Sequence, residues 1–179
     1  MFTHASRYLL FAVPVSICFN DVVCSVALVD GKSMQPTLNP QGTKDRDVVL
    51  LDKMSADERV LQRGDVVILD SPQDPKRQIV KRLIGLPGDW IKSRSGDLKN
   101  VPKGKCWIEG DNHVASLDSE RYGPVPISMV RARVTHLLWP PSRWGRVPED
   151  ERFKSKDRLF IANNKTKGDF PRRKKDDFW

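Results

Sequence analysis

The chain has 179 residues, 39% of them hydrophobic and 30% charged, with a formal net charge of +8, enough for one domain with appendages. Three cysteines, two of them in an apolar N-terminal stretch, do not make a disulfide framework, and no Cys-x-x-Cys or His-x-x-x-His pair offers a metal site. Thirteen prolines and eleven glycines along the chain favour many short elements, and no internal repeat is present.

The first element is the apolar run Tyr8 to Phe19, interrupted by Asn20-Asp21 and resumed from Val22 to Val29. The uninterrupted part is shorter than the ~20 residues a helix needs to span a bilayer. A cleaved signal peptide would want an Ala-x-Ala site, which does not clearly follow. A buried core helix is a second reading. The third, a membrane-associated helix that enters the bilayer with help from a partner or from lipid thinning, is carried forward for residues 1–29. The body beyond needs no such helix, and a bare Leu/Phe/Val run in water invites aggregation.

The body reads as strands. Ser25 to Val29, Asp47 to Leu51, Asp65 to Leu69, Gln78 to Ile84, Trp90 to Lys92, Cys106 to Glu109 and Ala132 to Trp139 are short β-branched or aromatic runs bounded by Gly, Pro, Asp and Asn. That pattern predicts a mostly β fold, an antiparallel barrel or sandwich. Pro72 to Arg77, with its two Xaa-Pro breakers, predicts a hairpin loop. One helical turn is expected around Ser128 to Val130. Alternation ends near Pro148, so the domain is placed at 30–148. Residues 149–179 form a basic tail, with ten Lys/Arg and five Asp/Glu from Glu151 onward, expected to be solvated and disordered. No aromatic residues interleave with its bases in a nucleic-acid-binding pattern.

Two segments carry candidate chemistry. Ser33 sits in Asp30-Gly31-Lys32-Ser33-Met34-Gln35-Pro36-Thr37, directly after a strand. The Gly and Pro bracket a turn that can expose the hydroxyl and bring backbone N–H groups to a developing oxyanion. Alone, this is also an ordinary turn serine. Lys81 lies within Ile79-Val80-Lys81-Arg82-Leu83-Ile84. Alternation puts Ile79, Lys81 and Leu83 on one face and Val80, Arg82 and Ile84 on the other. If the lysine face is inward, burial disfavours the ammonium and leaves an amine able to take a hydroxyl proton. The adjacent Arg82 leaves the inward face open, and a lysine can also snorkel to water. Among rival bases, His4 is in the leader, while His113 and His136 would each need a carboxylate partner beside Ser33. The loop Gly110 to Ser119 is small, polar and turn-rich; Ser116 could orient the lysine, and Asp111 and Asp118 could pin the loop.

Taken together, Ser33-Met34-x-Pro36-Thr37, Gly64-Asp65-Val66-Val67, Lys81 to Asp89, and Gly110-Asp111-Asn112 through Ser116, Asp118-Ser119 and Gly123-Pro124-Val125 resemble the type I signal peptidases, in the same order. Ser33 to Pro40, Asp47 to Leu51 and Leu137 to Pro141 resemble one branch, the second subunit of the mitochondrial inner membrane peptidases. The resemblance implies Ser33 as nucleophile and Lys81 as general base. Ser116 would hydrogen-bond the lysine. Gly31, where relatives can carry a hydroxyl that helps the oxyanion hole, would leave that work to backbone N–H groups. Met34 belongs to the serine motif. Asp118 matches a structural aspartate that commonly pairs with an arginine two residues on, a position held here by Glu120. It further implies a membrane-bound endopeptidase with no metal and no cofactor, facing the intermembrane space of mitochondria. Its partners would be precursor polypeptides with cleavable sorting signals, a second catalytic subunit and the membrane, with no nucleic acid. A soluble repressor-type self-cleaving protease and a non-catalytic β module are the alternatives. The first lacks an N-terminal domain ahead of Ser33, and the second leaves Ser33 and Lys81 without a purpose.

Overall fold

The computed structural model describes residues 22–42 and 45–148, together with the backbone of residues 159–160. The described residues form strands β1 (Cys24–Leu28), β2 (Val48–Asp52), β3 (Val66–Asp70), β4 (Gln78–Gly85), β5 (Trp90–Lys92), β6 (Leu98–Asn100), β7 (Lys105–Glu109), β8 (Val125–Pro126), β9 (Val130–Trp139), β10 (Gly145–Arg146) and β11 (Leu159–Phe160). Helix is confined to Ser119–Tyr122 and to short 3-10 turns, one of them Ile127–Met129, next to the turn the sequence predicts.

The main sheet runs β1-β2-β9-β3-β4-β7-β8, with β10 on β9, and a smaller sheet runs β11-β5-β6. Every ladder is antiparallel. The β3–β4 pair is the expected hairpin, closed across Pro72 to Arg77 by the Ser71 N–H donating to the Arg77 carbonyl at 2.8 Å. Among the described residues no ladder joins β8 back to β1, so the sheet has two ends and is not a closed barrel.

Alternation along β3 shows how the sheet is covered. Val66 and Ile68 pack with Val29, Met34, Leu38 and Val49 in one core cluster. Val67 and Leu69 pack with Leu83, Cys106 and Ile108 in another. A strand buried on both faces reads as a continuous apolar run, which is how Val66 to Leu69 reads. A third cluster, Ile91, Val101 and Trp107, joins the two sheets. Gly85 lies at that junction because a Cβ there would come within 2.8 Å of Ile91 Cδ1.

Two boundaries differ from the sequence-based expectation. The apolar segment from Tyr8 to Phe19 lies outside the described residues. Its continuation does not: Cys24–Leu28 pairs with β2 over five residues, and the Val29 N–H donates to the Asp47 carbonyl. The strand expected over Ser25 to Val29 is thus present one residue earlier, and the anchor segment of residues 1–29 gives up its last residues to the sheet, where the β-branched Val26 and its cross-strand partners on β2 favour an extended edge. Among the described residues no helix is long and apolar enough to cross a membrane. In the tail expected to be disordered, Leu159 and Phe160 pair with Ile91 and Trp90 of β5; a short, otherwise unpaired edge accepts a passing backbone.

Candidate active site

The Ser33 loop leaves β1 through Gly31, at φ +94, a conformation open to glycine and strained for residues with a Cβ. Val29, Met34 and Leu38 drop into the core, with 4, 2 and 0% exposure, and the Leu38 N–H donates to the Met34 carbonyl at 2.8 Å. Met34 is therefore a packing anchor, and its burial holds the neighbouring Ser33 half-exposed at the surface. Arg143 grips the far end of the loop. Its guanidinium donates to both oxygens of the buried Asp47 and to the Thr37 carbonyl at 2.7 Å. Asp47 in turn accepts from the Asn39 N–H at 2.8 Å.

Lys81 is 3% exposed. Its face-mates Ile79 and Leu83 both belong to the second core cluster, as alternation along β4 requires. Lys81 Nζ donates to Ser116 Oγ at 3.1 Å. Burial pushes the amine below its ordinary value of 10.5, against the opposing pull of the Asp118 and Asp111 carboxylates. Arg82 is buried as well, at 1%, on the opposite face. It makes a two-pronged pair with Asp111, at 2.9 and 2.7 Å, and donates to the Gly64 carbonyl at 2.8 Å. The face that the sequence leaves open between Lys81 and Arg82 is resolved by burying both, one toward each cluster.

The loop after β7 joins the two parts. The Asn112 N–H donates to the Ser33 carbonyl at 2.9 Å. A methyl on Gly110 would lie 2.5 Å from that carbonyl and closer still to Ser116 Oγ. Ser33 and Ser116 thus crowd the same side of Gly110, and Ser116 reaches Lys81. Asp118 holds the loop from below: one oxygen accepts from the Gly110 N–H at 3.0 Å, the other from the Glu120 N–H at 3.2 Å as the N-cap of the short helix. It does not form the arginine pair known from the resemblance. Glu120 is engaged elsewhere, its carboxylate accepting from the Arg94 N–H at 3.0 Å and from the Ser93 hydroxyl, with the Arg94 guanidinium 3.9 Å away.

The structure thus places the buried Lys81 and Asp118 and the half-buried Ser116 in one group and brings the Ser33 backbone to it. The Ser33 hydroxyl makes no hydrogen bond among the described residues. Gly31 lies at the loop entrance, its carbonyl accepting from Asn39. His113 is exposed and lines a shallow cleft with Gln35, Pro36 and Asp111; His136 sits on β9 opposite Leu50, away from the serine. Sequence reasoning missed Gly110 as a contact and Arg82–Asp111 as a buried pair. The only signal for either was the Gly110-Asp111-Asn112 turn.

A family model for signal peptidases, peptidase S26, matches residues 2–99. Mitochondrial inner membrane protease subunit 2 of Mus musculus is 47% identical over 138 residues, covering 76% of this chain and 79% of that one. The Saccharomyces cerevisiae protein of the same name is 41% identical over 138 residues, covering 74% and 78%. Mitochondrial inner membrane protease subunit 1 of Mus musculus is 40% identical over 147 residues, covering 78% and 86%. These matches define a peptidase. More narrowly, the chain belongs to the signal peptidase S26 family, among relatives of the mitochondrial inner membrane, and that membrane is its location.

Proposed function

We propose that the chain is a membrane-bound serine endopeptidase that removes N-terminal sorting sequences from precursors delivered to the mitochondrial intermembrane space, with Ser33 as nucleophile and Lys81 as general base. The observation that carries this reading is the buried Lys81 amine, pushed below its ordinary range and held by Ser116 beside the Ser33 loop.

In the reaction, the uncharged Lys81 amine takes the Ser33 hydroxyl proton as Oγ attacks the scissile carbonyl. Ser116 occupies one side of the amine, leaving its lone pair for the hydroxyl. The Ser33 N–H stabilises the oxyanion, and Gly31 adds no hydroxyl to help it. The tetrahedral adduct collapses to an acyl-enzyme, and the Lys81 ammonium returns its proton to the departing amine. Water then attacks the ester with Lys81 again as base, releasing the new carboxylate and restoring Ser33. Residues 1–29 are read as carrying the membrane tether ahead of β1, 30–148 as the peptidase domain and 149–179 as a basic tail. The partners are the precursors and a second catalytic subunit, as the word subunit in the relatives' names suggests.

The test is cleavage of a precursor bearing a sorting signal by the full chain with its sister subunit. Ser33→Ala, Lys81→Met and Lys81→Arg each fall below about one-thousandth of wild-type turnover, since arginine cannot give up its proton. His113→Ala stays near wild type. Near-normal turnover by Lys81→Arg, or collapse with His113→Ala, overturns the assignment of the base.

A further inference from the structure

Where β3 stops short of β10 along β9, a cleft of about 520 Å³ opens beside the Gly64 turn, β9 and β10, with Arg82 and Arg133 both in its lining. That volume falls in the range of small-molecule sites, roughly 300–1,000 Å³. Its charged lining is Arg63, Arg82, Arg133 and Arg146, with His136, against the single carboxylate of Asp65. Charge alone does not make it an anion site, because Arg63 already holds Asp89 and Arg82 holds Asp111.

The spare donors do. Arg133 donates to Asp52 at 3.4 Å through one terminal nitrogen and lies 3.8 Å from Asp65, while its Nε is buried with no hydrogen-bond partner. His136 Nδ1 is likewise buried and unpartnered. Arg146, directly opposite His136 in the β9–β10 ladder, is exposed and makes no side-chain hydrogen bond or ion pair among the described residues. A buried polar nitrogen left unsatisfied costs about 1–3 kcal/mol, and Arg133 and His136, each with one such nitrogen, line one cavity with the exposed Arg146 guanidinium from two adjacent strands. A tetrahedral anion with several acceptor oxygens satisfies all three together, and guanidinium forks match it geometrically.

We propose that this cleft binds a phosphate-type anion through Arg133, Arg146 and His136, supplied either as free phosphate or as the phosphodiester headgroup of an anionic lipid. The lipid source has a positional argument. Cys24, Asp52 and Arg133 form one row across β1, β2 and β9, so the cleft's Arg133 lies on the row where β1 begins, just after residues 1–21, in a protein of the inner membrane. The proposal does not rest on the roles given to Ser33 and Lys81.

The test uses the purified full chain in neutral detergent and isothermal titration with three probes: inorganic phosphate, short-chain phosphatidylglycerol, and short-chain phosphatidylcholine as the zwitterionic control. Wild type binds phosphate or phosphatidylglycerol saturably, and phosphatidylcholine weakly or not at all. Arg146→Gln, an exposed side chain whose change leaves the core intact, weakens that binding roughly tenfold; Arg133→Gln does the same where it folds. Phosphate binding as tight as lipid binding assigns free phosphate; strong lipid binding with weak phosphate binding assigns the headgroup. Saturable binding of neither anion, or binding unchanged by Arg146→Gln, overturns the proposal. Cleavage of a soluble peptide by Arg146→Gln stays at the wild-type rate, so this result stands apart from the outcome for the dyad.

Discussion

Lys81 is where burial and chemistry pull in opposite directions. Its amine titrates below 10.5 because the charged form is desolvated. Between the lowered folded value and the ordinary unfolded value, the unfolded chain binds the extra proton, so stability rises with pH across that window. Below the window the full cost of the buried ammonium is present. Lys81→Met abolishes cleavage yet stabilises the fold at neutral pH by roughly 1–3 kcal/mol, and flattens that alkaline rise. Denaturant melts of both proteins across a pH series check it. With Lys81 as the proposed base, kcat/KM in the wild type climbs with pH to a plateau whose midpoint lies below 10.5, because that base works unprotonated. Gly110 is the second sensitive residue. Gly110→Ala pushes a methyl against the Ser33 carbonyl and the Ser116 hydroxyl, and a displacement on the order of 1 Å in such a site costs ~100-fold in kcat. Single-turnover kinetics with circular dichroism separate this loss from unfolding.

At the scale of elements, β4 carries both the lysine and the arginine that braces its surroundings. Arg82 reaches Asp111 on the Ser116 loop, the Gly64 carbonyl and the Pro148 carbonyl. Arg82→Met leaves Asp111 buried without its cation and destabilises by about 3–5 kcal/mol; adding Asp111→Asn recovers part of the loss in a double-mutant cycle followed by urea melts. The main strands could be read from the sequence because their apolar runs are long and sharply bounded. Trp90–Lys92 matches residue for residue, and Lys81's face-mates were given by alternation. Leu98–Asn100 and Val125–Pro126 could not be read: one is exposed throughout, the other contains a proline, and both exist only because a partner strand lies alongside. Arg82 and Asp111 were hidden for the same reason. A charged pair is buried by what folds over it from elsewhere in the chain. Asp118 was found, but its work as an N-cap is local, and Glu120 at the position of the relatives' arginine already spoke against the ion pair.

At the scale of the whole molecule, the two sheets meet through Ile91, Val101 and Trp107 packed at Gly85. Gly85→Ala places a methyl 2.8 Å from Ile91 Cδ1. Overpacking of this kind costs roughly 1–3 kcal/mol, read as a melting temperature lower by about 2–4 °C for each kcal/mol, with the Lys81 environment on the far side of β4 unchanged. Differential scanning calorimetry beside peptide cleavage tests whether the junction and the catalytic group are separable.

The adjacency of Lys81 and Arg82 in one doubly covered strand also guards against miswoven copies. Were β4 to zip against β3 one step out of alignment, every side chain would trade faces. A permanently charged guanidinium would then stand beside Ser116, and a lone ammonium would confront Asp111. Under the proposed dyad, such an impostor carries no proton acceptor for the alcohol and no brace for the turn, so near-native tangles of this chain would be proteolytically mute.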